Sequence, residues 1–299
     1  LERNHGERIE KALAGGGHKL QNLILSTPAI YGLGQAADVA SIRTANLVWN
    51  GATQAPAAVI SGGAGTGLGT LDIQAQRIEF GYGPNPQASG LEQNDRLVLG
   101  FANVNLTASD HITANHKGSL AVYQAQGAFD PVGGYAYSGG NLNLRTPLLT
   151  GEAASVNLLK AGNNLTLTGA GTPAAANVLG AELTLDARNV TLDSRIALAS
   201  GKLVIKSVED LTLNSGAYLD MAGRTLAFND VNKYSWGGDV ALYSSHGNIR
   251  QLAGSSIDLS AQNNQAGNLS AIALASDAGM VDLQGQILGA SSGSYDAGG

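Results

Sequence analysis

Along most of the chain, aliphatic residues come in pairs separated by one position and followed by a polar break. The unit reads Leu71-Asp72-Ile73, Ile78-Glu79-Phe80, Leu97-Val98-Leu99, Val104-Asn105-Leu106 and Leu120-Ala121-Val122. It returns as Leu142-Asn143-Leu144, Val156-Asn157-Leu158 and Leu165-Thr166-Leu167. A period of two is the strand signature, with one face packed and the other in water. On that pattern Asn105, Asn143 and Asn157 point outward.

The clearest stretch runs from 181 to 230. Units begin at Leu183, Val190, Ile196, Leu203, Leu211, Leu219 and Leu226, so every third unit recurs after 20 to 23 residues. This predicts the coil steps Leu183 to Leu203, Val190 to Leu211, Ile196 to Leu219 and Leu203 to Leu226. Repeats of that length built from short strands point to a solenoid. Strands this short make no stable hairpin sheet alone, and the spacers are too short for helical crossovers. The fold class predicted is therefore all-β: a right-handed parallel β-helix with three short strands per coil of about 20–23 residues and loop excursions. Each coil buries roughly six aliphatics, each contributing about 1.5–3 kcal/mol before entropy. Glycine and asparagine suit the bends, where φ turns positive.

The pattern breaks near 52–69, 81–95, 124–139, 170–180 and 229–239, which read as loops leaving the coil. Residues 1–22 differ, and form either a short helix around Glu7 to Ala14 or an irregular segment. Residues 1–299 are taken as a single β-helix section of a larger protein.

Composition narrows the function. Of 299 residues 41 are glycine, without a three-residue repeat, which excludes collagen. The net charge is −6 and no basic run occurs, which argues against nucleic-acid binding. No apolar run is long enough for a membrane helix, so no membrane insertion is expected. The absence of cysteine removes disulfides, thiolate metal sites and cysteine catalysis.

From Gly237 the wording becomes specific. Gly237-Gly238-Asp239-Val240-Ala241-Leu242-Tyr243-Ser244-Ser245-His246-Gly247-Asn248-Ile249 leads into Ala253-Gly254-Ser255-Ser256-Ile257-Asp258-Leu259-Ser260. Gly267-Asn268-Leu269-Ser270-Ala271-Ile272-Ala273-Leu274-Ala275 and Gly279-Met280-Val281-Asp282-Leu283-Gln284-Gly285 follow. This resembles the filamentous-haemagglutinin-like exoproteins of Gram-negative bacteria, most closely over 240–299. The resemblance implies export by two-partner secretion, through an outer-membrane transporter that recognises a separate N-terminal domain. It implies a secreted or surface-held adhesin, with roles in biofilm or virulence and contact with host cell surface, matrix or exopolysaccharide. Two features depart from the family. Asn85-Pro86-Gln87 does not complete the secretion-domain motif, and no Arg-Gly-Asp occurs. The expectation is a non-enzymatic stalk without cofactor.

A polysaccharide-cleaving module needs two carboxylates roughly 5–9 Å apart; Asp186, Asp193, Asp210 and Asp220 are candidates, each also suited to a solvated bend. A phage tailspike-like fibre is a third reading. His246 has no evident acid partner. His111, His116 and Asp110 are too few for a convincing metal set. The run Ser61 to Gly69 lacks the Gly-Lys-Ser/Thr of a phosphate loop. Asn105, Asn164, Asn189 and Asn268 head Asn-x-Ser/Thr triplets. The contact-loop candidates are Phe129, Tyr135, Tyr137, Tyr234 and Trp236, since Tyr and Trp stack on sugars and favour interfaces. The alternative use of those rings is to cover the flank of the coil.

Overall fold

The computed structural model of the chain describes residues 20–54, 56, 59, 62–81, 93–169, 176–275 and 279–292. They form a parallel β-helix with no helix among the described residues. One face is an eight-stranded parallel sheet running from Ala29–Tyr31 and Gln93–Leu99 through Lys117–Tyr123 and Val156–Ala161. It continues through Glu182–Ala187, Lys202–Ser207 and Asp239–Ser244 to Leu269–Ala273. The other two faces belong to a fifteen-stranded sheet that forks. Its long strands Val39–Trp49, Gly69–Phe80 and Phe101–Ala114 each span both faces. Phe101–Ala114 pairs with Asn141–Arg145 through Asn103–Thr107, and with Leu148–Gly151 through Ile112–Ala114. Beyond this fork the two arms are separate columns of short strands.

Inward positions stack like on like. Leu47, Ile78, Ile112, Leu149, Ile196, Leu219 and Ile257 make one buried column, each strand-paired with the next. Leu120, Leu159, Leu185, Ile205 and Leu242 make another. A coil cannot bury its aliphatics alone; the neighbour above and below closes the core. Polar bends stack too. Asn141 Nδ2 donates to Asn103 Oδ1 at 2.9 Å and Asn189 Nδ2 to Asn164 Oδ1 at 3.1 Å. The backbone N–H of Asp210, Asn248 and Met280 each donate to the side-chain oxygen of Asn189, Asp210 and Asn248 respectively. This ladder satisfies bend amides that no strand reaches.

The coil steps Leu183–Leu203, Val190–Leu211 and Ile196–Leu219 are all strand pairs. The step Leu203–Leu226 is not. Leu203 pairs with Val240, and Leu226 sits in an antiparallel hairpin, Thr225–Phe228 with Val231–Tyr234. Asn229 at its turn takes φ 50°, a conformation asparagine tolerates. The break expected at 229–239 therefore starts earlier. A second hairpin, Ala125–Asp130 with Gly134–Ser138, fills the break at 124–139. Asn157 also departs from the expected pattern, since it is buried while Val156 is 42% exposed. Pairing of Leu159 with Leu120 sets this register, and Asn157 Nδ2 then donates inward to the Asn115 and His116 carbonyls. Leu20–Leu25 is a strand paired with Val39–Trp49, so residues 20–22 are neither helical nor irregular. Glu7 to Ala14 and Asn85 to Gln87 lie outside the described residues.

Two breaks remove a strand from one face. Ile30 pairs directly with Val98, although the coil of Gly69–Phe80 lies between them on the other two faces. Leu149 pairs directly with Ile196, skipping the level of Asn164–Thr168. Each omission shortens one face by one strand spacing, about 4.8 Å. Near the first, Arg96 is buried against the end of Val39–Trp49. It is 2% exposed and donates to the carbonyls of Trp49, Asn50, Asn94 and Ser119 at 2.6, 3.0, 3.2 and 3.1 Å. Phe80 lies against its guanidinium, 5.6 Å from ring centroid to Cζ. Burial lowers its pKa to about 10.

Candidate functional site

The hairpin Ala125–Ser138 leaves the corner after strand Lys117–Tyr123 and folds back beside it. Its Tyr137 ring stacks on Tyr123, with centroids 4.7 Å apart and planes 17° apart. Phe129 and Tyr135 meet edge to face at 5.0 Å. Tyr123, Tyr135 and Tyr137, together with the coil, wall a groove of about 460 Å³; Phe129 is not part of its lining. Its floor is small: Ala161, Gly162 and Ala187. A Cβ on Gly162 would run into Gly139 O and the Tyr123 ring, so only glycine lets the hairpin base seat there.

The groove follows the strand ends of the eight-stranded face. Tyr123 closes one strand, and Gly162, Arg188 and Val208 follow the next three. Two positions before Gly162 and Arg188, Lys160 and Asp186 are strand partners, and Lys160 Nζ lies 3.3 Å from Asp186 Oδ2. Lys206 continues this outward column as the partner of Asp186. Arg188 holds Glu209 through two contacts to Oε1, 2.9 Å from Nε and 2.6 Å from Nη2.

Burial raises the Tyr123 phenol, and Asp186 and Tyr137 add to this against the opposing pull of Lys160. Burial works to lower Lys160, but Tyr123 and Asp186 outweigh it and the ammonium is raised. Both groups keep their protons at neutral pH, so neither is poised as a base. Tyr137 is raised by burial and by Tyr135. The groove thus offers aromatic surface, a donor at Lys160 and an acceptor at Asp186, without a second carboxylate among its lining residues.

Of the five contact candidates, Phe129, Tyr135 and Tyr137 gather on this hairpin. Tyr234 and Trp236 belong to the other excursion, at the corner before Asp239–Ser244. Trp236 is 58% exposed, while Tyr234 is half-buried and its carbonyl accepts Asn264 Nδ2 at 2.8 Å.

The carboxylate candidates scatter. Asp193 Oδ1 accepts Gly216 N–H, and Asp210 is part of the bend ladder. Asp220 is buried between Arg195 and Arg224, at 2.6 and 2.8 Å. Asp186 alone reaches the groove. Asp110 takes Arg77 and His111 at 3.0 and 3.3 Å. His116 has φ 54° and its N–H donates to Asn115 Oδ1. His246 Nδ1 meets its chain neighbour Ser245 at 2.9 Å. Among the described residues no group of three His, Asp or Glu is placed to hold a metal. The Asn-x-Ser/Thr side chains of Asn105, Asn164, Asn189 and Asn268 all make coil-to-coil hydrogen bonds. The described part of the glycine-rich run packs on backbone: Gly65 and Gly67 N–H both donate to Gly32 O.

Tyr123, Lys160 and Arg188 escaped the sequence reading. Their signal was the coil spacing, which sets Lys160 beside Asp186 once strand register is known. No protein-family model, curated protein or solved structure matches the chain.

Proposed function

We propose that this chain is a section of a secreted bacterial surface adhesin, a non-enzymatic β-helical stem that contacts polysaccharide through the Tyr123–Tyr137 groove. The groove carries the reading: stacked phenols, one ammonium and one carboxylate converge on an open trough beside a rigid sheet. Sugar recognition calls for that combination of apolar ring faces and a few placed polar groups. The repeat wording of 240–299 supports the filamentous-haemagglutinin-like assignment, and with it export through an outer-membrane transporter. A coil that contacts only its neighbours suits folding after passage through a pore.

The test is capture of bacterial exopolysaccharides and host glycans by the purified chain and by Tyr137→Ala, with product analysis. Retention of intact polysaccharide, weakened about tenfold by Tyr137→Ala, is expected, a loss of about 1.4 kcal/mol. Shortened products would replace binding with cleavage. No retention of any glycan would overturn the polysaccharide reading.

A further inference from the structure

We infer that the groove binds an internal stretch of a linear polysaccharide, lying along the axis of coil stacking, rather than a chain end. This deepens the polysaccharide reading and rests on it. The lining residues come from four successive strands of one face: Tyr123, then Gly162, Arg188 and Val208, each one coil further on. Strand pairs Val122–Ala161, Lys160–Asp186 and Ala187–Ser207 fix that order. Three strand spacings make the trough about 14 Å long, the length of a few sugar rings.

Its width and ends fit a chain passing through. Gly162 keeps the floor low beside the tyrosine wall, while Ala161 and Ala187 turn their methyls into the core. At the far end Val208 is 47% exposed. Ser245 and His246 come next, their N–H groups bonded to the carbonyls of Ser207 and Val208. They extend the same edge by a further coil. At the near end the same column runs on from Tyr123 to its strand partner Leu99 and then to Tyr31. Lys160 and Asp186 stand side by side along the trough, so hydroxyls of consecutive sugars meet a donor and then an acceptor.

The experiment titrates the full chain with ladders of linear β-1,4-linked gluco-, manno- and galacturono-oligosaccharides, from one to eight residues. Intact exopolysaccharide is run beside them, and tyrosine fluorescence is the readout. The expected result is affinity rising at least tenfold from disaccharide to tetrasaccharide in a binding ladder, then levelling. Capping the non-reducing end should change nothing. Val208→Trp, at the far end of the lining, should remove most of the gain with length. A monosaccharide binding as tightly as the octasaccharide, or abolition by end-capping, would overturn the inference and leave the polysaccharide reading standing. Binding of long chains unaffected by Val208→Trp would also overturn it. Failure of every ladder and of intact polysaccharide would overturn both.

Discussion

Thr150 and Ala197 are bonded neighbours although two coils of chain separate them: Thr150 Oγ1 donates to Ala197 O at 2.7 Å. Ser194 Oγ reaches back in the same way to Thr146 O, also at 2.7 Å. Both bonds stitch the face that omits a strand at the level of Asn164–Thr168. Side chains there do what a ladder strand does elsewhere. Thr150→Val and Ser194→Ala should each cost about 1 kcal/mol. Urea unfolding of the two variants, read by far-UV circular dichroism, checks this. An unchanged midpoint would mean that backbone pairing alone holds the omission closed.

The hairpin Thr225–Tyr234 should be removable. Ser235 N–H donates to Arg224 O at 2.9 Å, so the two ends of the excursion already meet. Leu203 pairs with Val240 whatever lies between. Replacing Leu226 to Lys233 by Asn-Gly should change stability by less than about 1 kcal/mol, as for other surface loops. Removing Thr184 to Thr191, eight residues of coil, should abolish folding, because it takes inward Leu185 and Val190 out of their columns. Thermal melts of both deletions distinguish the cases.

Those two deletions also mark where the sequence could be read. Period-two alternation plus a recurring step identified the coil, because like residues must stack to close the core. The step from Leu203 failed at Leu226 because a hairpin alternates with the same period as a coil strand. Val156-Asn157-Leu158 failed for a related reason. Leu158 and Leu159 are adjacent, so alternation permits two registers, and only pairing with Leu120 chooses. The aromatic hairpin was legible as an excursion with exposed rings. Its partners were not, because Tyr123, Lys160 and Asp186 converge through inter-coil register that no local window contains. Arg96 carries no local signal of burial, because its acceptors Trp49 and Asn50 lie 47 and 46 residues away in sequence.

Raising pH should loosen the groove. The Tyr123 and Lys160 pKa values both lie above their ordinary values of 10.0 and 10.5 in the fold. A raised pKa means that the folded state holds the proton more tightly. The contribution is therefore complete below pH 10 and lost as pH rises through the raised values. Melting temperature should fall more steeply above pH 10 in the native chain than in Lys160→Met. Absorbance at the tyrosinate band should show a late-titrating phenol that moves in that variant. Equal slopes in both proteins would rule out the coupling.

Arg96 offers the sharpest stability prediction. Its cation sits without a contacting carboxylate and is held by four carbonyls and the face of Phe80. Burying it has a cost, which the lowered pKa records. The cost is offset by four carbonyl acceptors, of which Trp49 O also takes the Gly81 N–H at 2.9 Å. Arg96→Met keeps the aliphatic stem but removes all four side-chain hydrogen bonds, so a loss of order 3 kcal/mol is expected. Arg96→Lys keeps the charge but not the planar fork, and cannot reach all four carbonyls. It should be nearly as damaging as Arg96→Met. A purely electrostatic role would instead let lysine restore most of the stability. Guanidinium unfolding of the three proteins separates these outcomes, and a native-like midpoint for Arg96→Lys would show that charge, not the fork, sets the stability.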